Sequence, residues 1–569
     1  MNKKVLSILT LIVLLSGAIS FCLLTRGHSW LDDFAAYVMQ AKSILDGAMG
    51  EFVRRNAFTV SASSYPPGPA AYPWGFPLLL APVYAMFGLN ALAFKLVNTL
   101  FYALFLIVLF GLVRTRLTEV ESLLLTAALA FNPALLLAHD QIISDIPFLF
   151  FCTLSIFLTD RFTAGQMSFP CGDAMRAVLS GAFPSEVEGR RHLRRTAFGA
   201  VQVSNLPFNG VLPSSGDCHA AEEQERRLAR VPHTVQAMTL LAGAATGAAI
   251  FAASFIRTNG ILLLIPLALT QLIQLWPQRR DKAGLFPALK SASIPYLTFG
   301  VLFAAQALIF PNGQDSYLSH FSMFNLQRLW DNFLYYLWLP SWTFREIPAG
   351  VALYPLLLVF VIVSAVKRRS RDLPIHAFSL ATVAVFILWP ERQGLRFIYP
   401  ILPFLLIFAF DGMKLAAARL QADRQKLVRM VLTGFWLLLI VVSFGVSVGY
   451  ARENLSADRA TNGPFDPVSA GMFAFVREKT PAESIVIFFK PRALRLFTAR
   501  DSFMTNRCAD LPKGDYLALS EKVGDNGQIA PEAINTCTDV KLEEVFNNRR
   551  FIVYRIFQMP KLSITPYGH

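Results

Sequence analysis

The sequence predicts a polytopic bundle of membrane-spanning helices followed by a small C-terminal α/β domain, and three observations predict it. The composition is 54% hydrophobic and only 16% charged, with a mean hydropathy of +0.46. Apolar runs of roughly 17–22 residues, long enough to cross a ~30 Å hydrocarbon core as helices, recur up to about residue 450. Beyond that point the pattern changes to short strand-like segments separated by helical or turn sequence. These values exclude an ordinary soluble enzyme. The 49 Phe against 15 Tyr suit lipid-facing and bundle-packing surfaces. The formal charge of +14 does not mark a nucleic-acid partner, because the basic residues gather in short loops between apolar runs and so report orientation.

Residues 5–24 follow Lys3 and Lys4 and read as the first span, with the N-terminus cytoplasmic. They do not read as a signal peptide, since no small-residue cleavage site comes before the next feature and many spans follow. Further spans are expected at 91–112, 121–138, 143–160, 235–255, 259–275, 289–310, 349–366, 374–390, 395–412 and 428–448, eleven in all. Residues 74–88 are short and contain Pro77 and Pro82; they read as re-entrant or interfacial. With that choice the loops RTR (114–116), PQRRDK (277–282) and KRRSR (367–371) all fall in the cytoplasm, as the positive-inside tendency prefers.

The same topology gathers ionisable residues on the opposite, outer side. They are Asp32 and Asp33, His139, Asp140 and Asp145, Arg257, and Glu391, Arg392 and Arg396, with a long loop from about 311 to 348 on the same face. Ionisable groups at span ends are costly to bury and need water, partners or a ligand. Singly, Asp33 or Asp140 reads equally well as a helix cap, and an arginine beside a span as a snorkelling side chain. Their convergence on one side points to a site. Tyr65, Tyr72 and Trp74 lie in the proline-rich stretch SSYPPGPAAYPWGF, which fits an interfacial loop whose aromatic residues form a membrane belt or a sugar-contacting wall.

Four stretches, LDDFAAY, YPPGPAAYPWGFPLLLAPVYAMFG, HDQIISDIPFLFF and ERQGLRFIYPILPFLL, carry a resemblance to a known family. The chain resembles the bacterial branch of the GT-C superfamily, polytopic glycosyltransferases similar to protein O-mannosyltransferases and to the enzymes that add aminoarabinose or galacturonic acid to lipid A. The likeness spans about residues 5–160 and 235–450. It implies a GT-C-like bundle in which Asp32 and Asp33 match the catalytic acid motif, with Asp33 where Glu is commoner. Asp145 matches the second acidic position better than Asp140. Arg396 and Tyr399 match a late Arg-Tyr element, although Phe397 and Ile398 separate them where the pair is usually adjacent.

The resemblance further implies transfer of a sugar from a polyprenyl-phosphate donor to a glycolipid, glycan or protein acceptor, at the outer face of a bacterial inner membrane and with inversion. Such transfer needs a carboxylate within ~3 Å of the acceptor hydroxyl to take its proton. Asp32 is the first candidate for that role, with Asp33 orienting the acceptor. The leaving phosphate needs charge stabilisation, which Arg257 or Arg396 would supply. A retaining mechanism depends on carboxylate separations that sequence does not give. No nucleotide-binding loop is apparent and such a donor needs none; carboxylates at an outer site could bind a divalent metal or perform base chemistry alone. The alternatives are a transporter, which internal halves with paired unwound segments would mark, and a polysaccharide polymerase or ligase using the same donor class.

The domain organisation expected is a bundle over 1–450, interrupted by a polar cytoplasmic insertion at 161–233, and a periplasmic domain over 451–569. The insertion reads as poorly packed and without catalytic duty. Its Cys171, Cys218, His192, His219 and His233 lack the paired spacing of a zinc site. Cys22 and Cys152 read as span residues. Cys508 and Cys537 would pair in an oxidising compartment. In the last domain ESIVIFFKPRALRLFTAR and GDYLALSEK read as short strands separated by a helix or turn and FIVYRIF as a final strand, while Lys490, Arg492, Arg495 and Arg500 form either an anionic contact or an ordinary basic surface.

Overall fold

A computed structural model describes residues 2–65, 67–167, 239–280, 282–312, 325–368, 372–389, 391–392, 394–521 and 527–559. Most of the expected insertion, with its cysteines and histidines, lies outside the described residues. The chain divides into two compact units, one comprising Met1–Phe157, Ala249–Leu269 and Phe299–His569, the other Leu158–Ala248 and Thr270–Thr298. In the second, Gly247 lets neighbouring helices approach, since a Cβ there would meet the Pro295 carbonyl at 2.2 Å. Tyr296 Oη donates to Gln271 Oε1 at 2.8 Å.

The first unit begins with α1 (Lys3–Leu23), whose N-cap Asn2 accepts from the Lys4 amide. Three shorter helices follow, α2 (Asp33–Leu45), α3 (Met49–Ala62) and α4 (Gly75–Phe87), then the long α5 (Ala91–Val113), capped by Asn90. A Thr118–Glu121 capping box starts α6 (Glu119–Ala130). Asn132 and Pro133 end that run and start α7 (Pro133–Leu137), and the pair bends by 49°. After a short 3-10 turn, α8 (Asp145–Met167) begins at Asp145. Among the described residues nine helices are long and apolar enough to cross a membrane, ten if the bent α6–α7 pair is one span. The chain is a polytopic membrane protein. The eleventh expected span corresponds to Leu373–Leu388, a shorter apolar helix of 16 residues.

Side-chain pairs identify the two ends of the bundle. At one end Arg116, beyond α5, meets Asp372 at 2.7 Å, Lys414 meets Glu121 at 2.8 Å, and Arg368 pairs with Asp411. At the other, Asn454 Nδ2 donates to the carbonyls of Cys22 and Leu24 at 2.9 and 3.2 Å, joining the last long helix (Ala422–Ser456) to the end of α1. Lys95, one turn into α5, donates to the carbonyls of Thr25 and Gly27 at 3.2 and 2.6 Å. Therefore α1 ends where α5 begins, and no net crossing lies between them. The 13 residues of α4 rise only about 20 Å, too little for a span, and both of its flanks sit at the acidic end, as the re-entrant or interfacial reading of 74–88 requires.

Helix Ala422–Ser456 runs past the sequence boundary at 450, and the segment that follows packs in the same unit as α1–α7. Its five-stranded sheet has the order β2-β1-β3-β5-β4, from β1 (Ile485–Ile487), β2 (Asp501–Phe503), β3 (Tyr516–Ser520), β4 (Val540–Asn547) and β5 (Phe551–Gln558). The first three strands pair in parallel and the last two antiparallel, with helix Pro491–Thr498 crossing from β1 to β2. Strand β4 carries no clear sequence signal, because only one of its eight residues is buried and its apolar alternation is weak. Cys508 and Cys537 form a disulfide with Cα atoms 5.1 Å apart.

The first loop after α1 and this sheet domain share a core. Trp30 inserts among Phe473, Phe488, Phe489 and Phe551, with its ring centroid 5.1 Å from that of Phe489. Glycine is needed at 463, since a Cβ would lie 1.7 Å from the His28 carbonyl. On the far side α3 docks against β2: Arg55 donates to Asp501 at 2.9 Å, and Thr59 to the Ser502 carbonyl at 2.9 Å.

Candidate active site at the acidic end of the bundle

Asp33 and Asp32 sit at the N-terminus of α2 but face different neighbours. Asp33 Oδ1 accepts from Tyr72 Oη at 2.7 Å, and Oδ2 lies 3.4 Å from Arg396 Nη2. The Arg396 Nε is 3.6 Å from Asp145 Oδ2, and Asp145 Oδ1 pairs with Arg257. Two carboxylates and two guanidinium groups thus alternate, Asp33–Arg396–Asp145–Arg257, so each buried charge has a counter-charge. Asp145 is 1% exposed, whereas Asp33 and Arg396 keep about a quarter of their side-chain surface. The open side of the cluster is therefore formed by Asp33 and Arg396.

The fold explains why these four meet. Asp33 and Asp145 each begin a helix, Arg257 follows the end of the span Thr239–Ile256, and Arg396 lies in the 3-10 segment Gly394–Ile401 that opens another span. Close backbone approach helps: a Cβ at Gly75 would meet the Phe255 carbonyl at 2.5 Å, so glycine lets α4 lie against the end of the Arg257 helix. Arg257 also lies over the Phe148 and Phe397 rings at 5.8 and 5.7 Å. Tyr37 Oη and Ser144 Oγ, 3.1 Å apart, pack α2 against the turn before Asp145.

Asp32 turns away from this cluster toward the sheet domain. Its Oδ1 accepts from the amides of Arg492 and Ala493 at 3.1 and 3.4 Å, at the N-terminus of helix Pro491–Thr498. Its Oδ2 is buried without a hydrogen bond, with Arg492 Nε 3.6 Å away. Burial pushes the Asp32 carboxyl up to about 6, against the opposing pull of Arg492 and Lys490. Burial and the Asp33 charge raise Tyr72 well above the usual phenol range, which keeps it a donor to Asp33.

The other sequence candidates divide. Tyr72 joins the site. Tyr399 is buried near enough to Asp145 and Arg396 for their charges to act on its hydroxyl. Tyr65 donates to Glu391 at 2.8 Å, tying the proline-rich loop to the late arginine loop. Arg392 donates to Asn332 at 2.9 Å and lies over the Tyr335 ring. Three candidates are occupied elsewhere. Trp74 is buried, stacks on Phe310 and donates to the Pro311 carbonyl at 3.0 Å. His139 is buried 2.6 Å from Ser20 Oγ. Asp140 pairs with Lys95 at 2.6 Å and accepts from Thr25. Among the described residues no group of three or more His, Cys, Asp or Glu is arranged to hold a metal.

Sequence alone does not single out Tyr37, Ser144 or Asn56, whose Oδ1 accepts from Arg492 Nε at 3.2 Å and whose Nδ2 donates to the Ala70 carbonyl at 2.6 Å. Asn56 offered no signal, since a lone Asn inside an amphipathic helix is unremarkable until its partners are known.

No protein-family model and no curated protein sequence matches the chain; its likenesses are three-dimensional. The structure of ArnT from Cupriavidus metallidurans bound to undecaprenyl phosphate superposes with a TM-score of 0.51 at 13% identity, covering 97% of this chain and 98% of that one. Its apo state gives the same score and identity over 96% and 97% of the two chains. The apo oligosaccharyltransferase of Archaeoglobus fulgidus gives 0.50 at 11% identity over 91% of this chain and 70% of that one. Likeness at these identities concerns architecture alone: the chain shares the fold of these structures, a polytopic helical bundle with a small C-terminal α/β domain.

Proposed function

We propose that the protein is an integral-membrane glycosyltransferase that moves a sugar from a polyprenyl-phosphate donor to a hydroxyl of a lipid, glycan or protein acceptor. In this reading the acidic end of the bundle faces the outer side of the bacterial inner membrane. Support comes from the near full-length likeness to an ArnT structure that holds undecaprenyl phosphate and from the alternating cluster Asp33–Arg396–Asp145–Arg257.

The observation that carries the reading is the state of Asp32. One carboxylate oxygen is anchored by two amides while the other has no hydrogen bond, and burial raises its basicity to the range a general base needs near neutral pH. Asp32 takes the acceptor proton as the hydroxyl oxygen attacks the anomeric carbon and the C–O bond to phosphate breaks. Arg396, the more accessible guanidinium, receives the departing phosphate charge, with Arg257 behind it through Asp145. Attack opposite the leaving phosphate inverts the anomeric centre. Asp33 holds Arg396 and Tyr72 in place.

The test is transfer of label from defined polyprenyl-phosphate sugars to glycolipid and protein acceptors by the purified protein, with Asp32→Asn and Asp33→Asn alongside. Acceptor-dependent transfer lost in Asp32→Asn supports the reading. Absence of transfer, with labelled substrate crossing proteoliposomes instead, overturns it in favour of transport. Transfer retained by Asp32→Asn and lost in Asp33→Asn would move the base to Asp33.

A further inference from the structure

We propose that Arg492, delivered by the C-terminal domain, is a positioning residue of the transfer site that holds the base Asp32 and the loop of residues 67–72 in their working arrangement. The proposal rests on the reading of Asp32 as the base.

Arg492 is the only guanidinium among the described residues with no exposed surface, and an arginine is tolerated in such a place only when its donors are matched. Nε donates to Asn56 Oδ1 at 3.2 Å, Nη1 to the Pro67 carbonyl at 2.9 Å, and Nη2 to the Pro69 carbonyl at 2.7 Å. A longer contact of 3.4 Å joins Nη1 to the Tyr72 hydroxyl, which itself donates to Asp33. The guanidinium also lies over the Tyr72 ring at 5.5 Å. Gly68 makes this approach possible: its φ is +124°, and a Cβ there would stand 2.8 Å from the Tyr72 hydroxyl and 3.2 Å from Arg492 Nη1.

These contacts do more than fasten a domain. Arg55 and Thr59 already dock the sheet domain through β2, and Trp30 does so through its aromatic core. Arg492 instead touches both branches of the site, Asp32 directly and Asp33 through Tyr72. The charged groups acting on Asp32 are Arg492, Lys490 and Arg495 from the C-terminal domain and Asp33 from its own helix. Of these Arg492 acts most strongly, and it favours the ionised base. Donating to the Asn56, Pro67 and Pro69 oxygens from three separate nitrogens requires the arginine fork, which lysine lacks.

The experiment compares the pH dependence of kcat/KM for transfer in wild type, Arg492→Gln and Arg492→Lys, each confirmed as folded by its elution profile in detergent. Loss of the charge in Arg492→Gln is expected to move the acidic limb upward by roughly one to two pH units and to lower kcat about 10- to 100-fold. Arg492→Lys keeps the charge, so its limb stays at the wild-type position while kcat remains reduced. An unmoved limb in folded Arg492→Gln overturns the proposal, because a purely structural arginine would change yield and not the titration. Should Arg492→Gln not fold, Arg492→Lys decides alone: lowered kcat with unchanged limb and KM supports the proposal, and full activity overturns it. Absence of transfer in the wild type is a failure of the glycosyltransferase reading itself and is visible before any variant is compared.

Discussion

Arg492 stands with its Nε 3.6 Å from Oδ2 of Asp32, although 460 residues of chain separate them. One residue belongs to the loop after the first membrane helix, the other to a sheet domain beyond the last. Their contact joins the acid pair to the C-terminal domain, and it frames what substitutions there should do.

Asp32→Asn is expected to separate stability from activity. The folded-state pKa of Asp32 lies at about 6, above its ordinary value of 3.8, so the native state holds the proton more tightly than the unfolded chain. Stability associated with this group is therefore present at low pH and lost as pH rises through 6, and near neutrality the ionised side chain is a cost. The amide variant keeps an oxygen for the Arg492 and Ala493 amides. Its melting temperature at neutral pH should equal or exceed that of the wild type, while transfer falls at least about 100-fold. A matched loss of both would remove Asp32 from the role of base.

Arg396→Lys should weaken donor use more than it harms the fold. Arg396 bridges Asp33 and Asp145 with separate nitrogens, at 3.4 and 3.6 Å, a geometry that a single ammonium reproduces poorly. The expected result is a kcat/KM for the polyprenyl-phosphate donor lower by about 10-fold or more, corresponding to the loss of one charge-assisted contact. Acceptor KM should be unchanged. Steady-state kinetics with each substrate varied in turn makes the comparison.

His28 should set part of the acid sensitivity of the fold. It is buried, accepts from the Ile142 amide at 3.0 Å through Nε2, and sits 2.8 Å from the Ser29 carbonyl through Nδ1, an arrangement that suits one neutral tautomer. Burial lowers its pKa from 6.5 to about 3, so the unfolded chain binds the proton first as pH falls. Its contribution is complete above 6.5 and declines toward 3. Melting temperatures of detergent-solubilised wild type should fall between these limits more steeply than those of His28→Gln.

The Cys508–Cys537 bridge closes a loop with a sequence separation of 29. Chain-entropy reasoning assigns a loop of this size about 3–4 kcal/mol. Reduction, or the paired Cys→Ser variant, should therefore make the C-terminal domain more protease-sensitive, read as the rate of loss of a C-terminal epitope with and without reductant. Equal rates would show that the domain draws its stability from Trp30 and the bundle instead.

What the sequence determined by itself was the membrane architecture and which ionisable residues stand at its span ends. Apolar runs encode the spans locally, because each helix satisfies its own backbone in lipid whatever its neighbours do. The placement of 74–88 was legible because only one choice put three basic loops on a common side. Asp33, Asp145, Arg257 and Arg396 were legible because ionisable groups at span ends are expensive and therefore rare. The tertiary structure alone decided which of these charges touch. It divided Asp32 from Asp33, though they are adjacent in the chain, since successive residues at a helix start point in directions about 100° apart. It tied Trp74, His139 and Asp140 to other partners, since an aromatic or a charge at a span end is satisfied by whichever partner lies nearest. It also turned part of an apparently ordinary basic stretch, Lys490 to Arg500, into the buried Arg492 and Arg495, because burial depends on the surface brought against a helix and not on the helix's own composition.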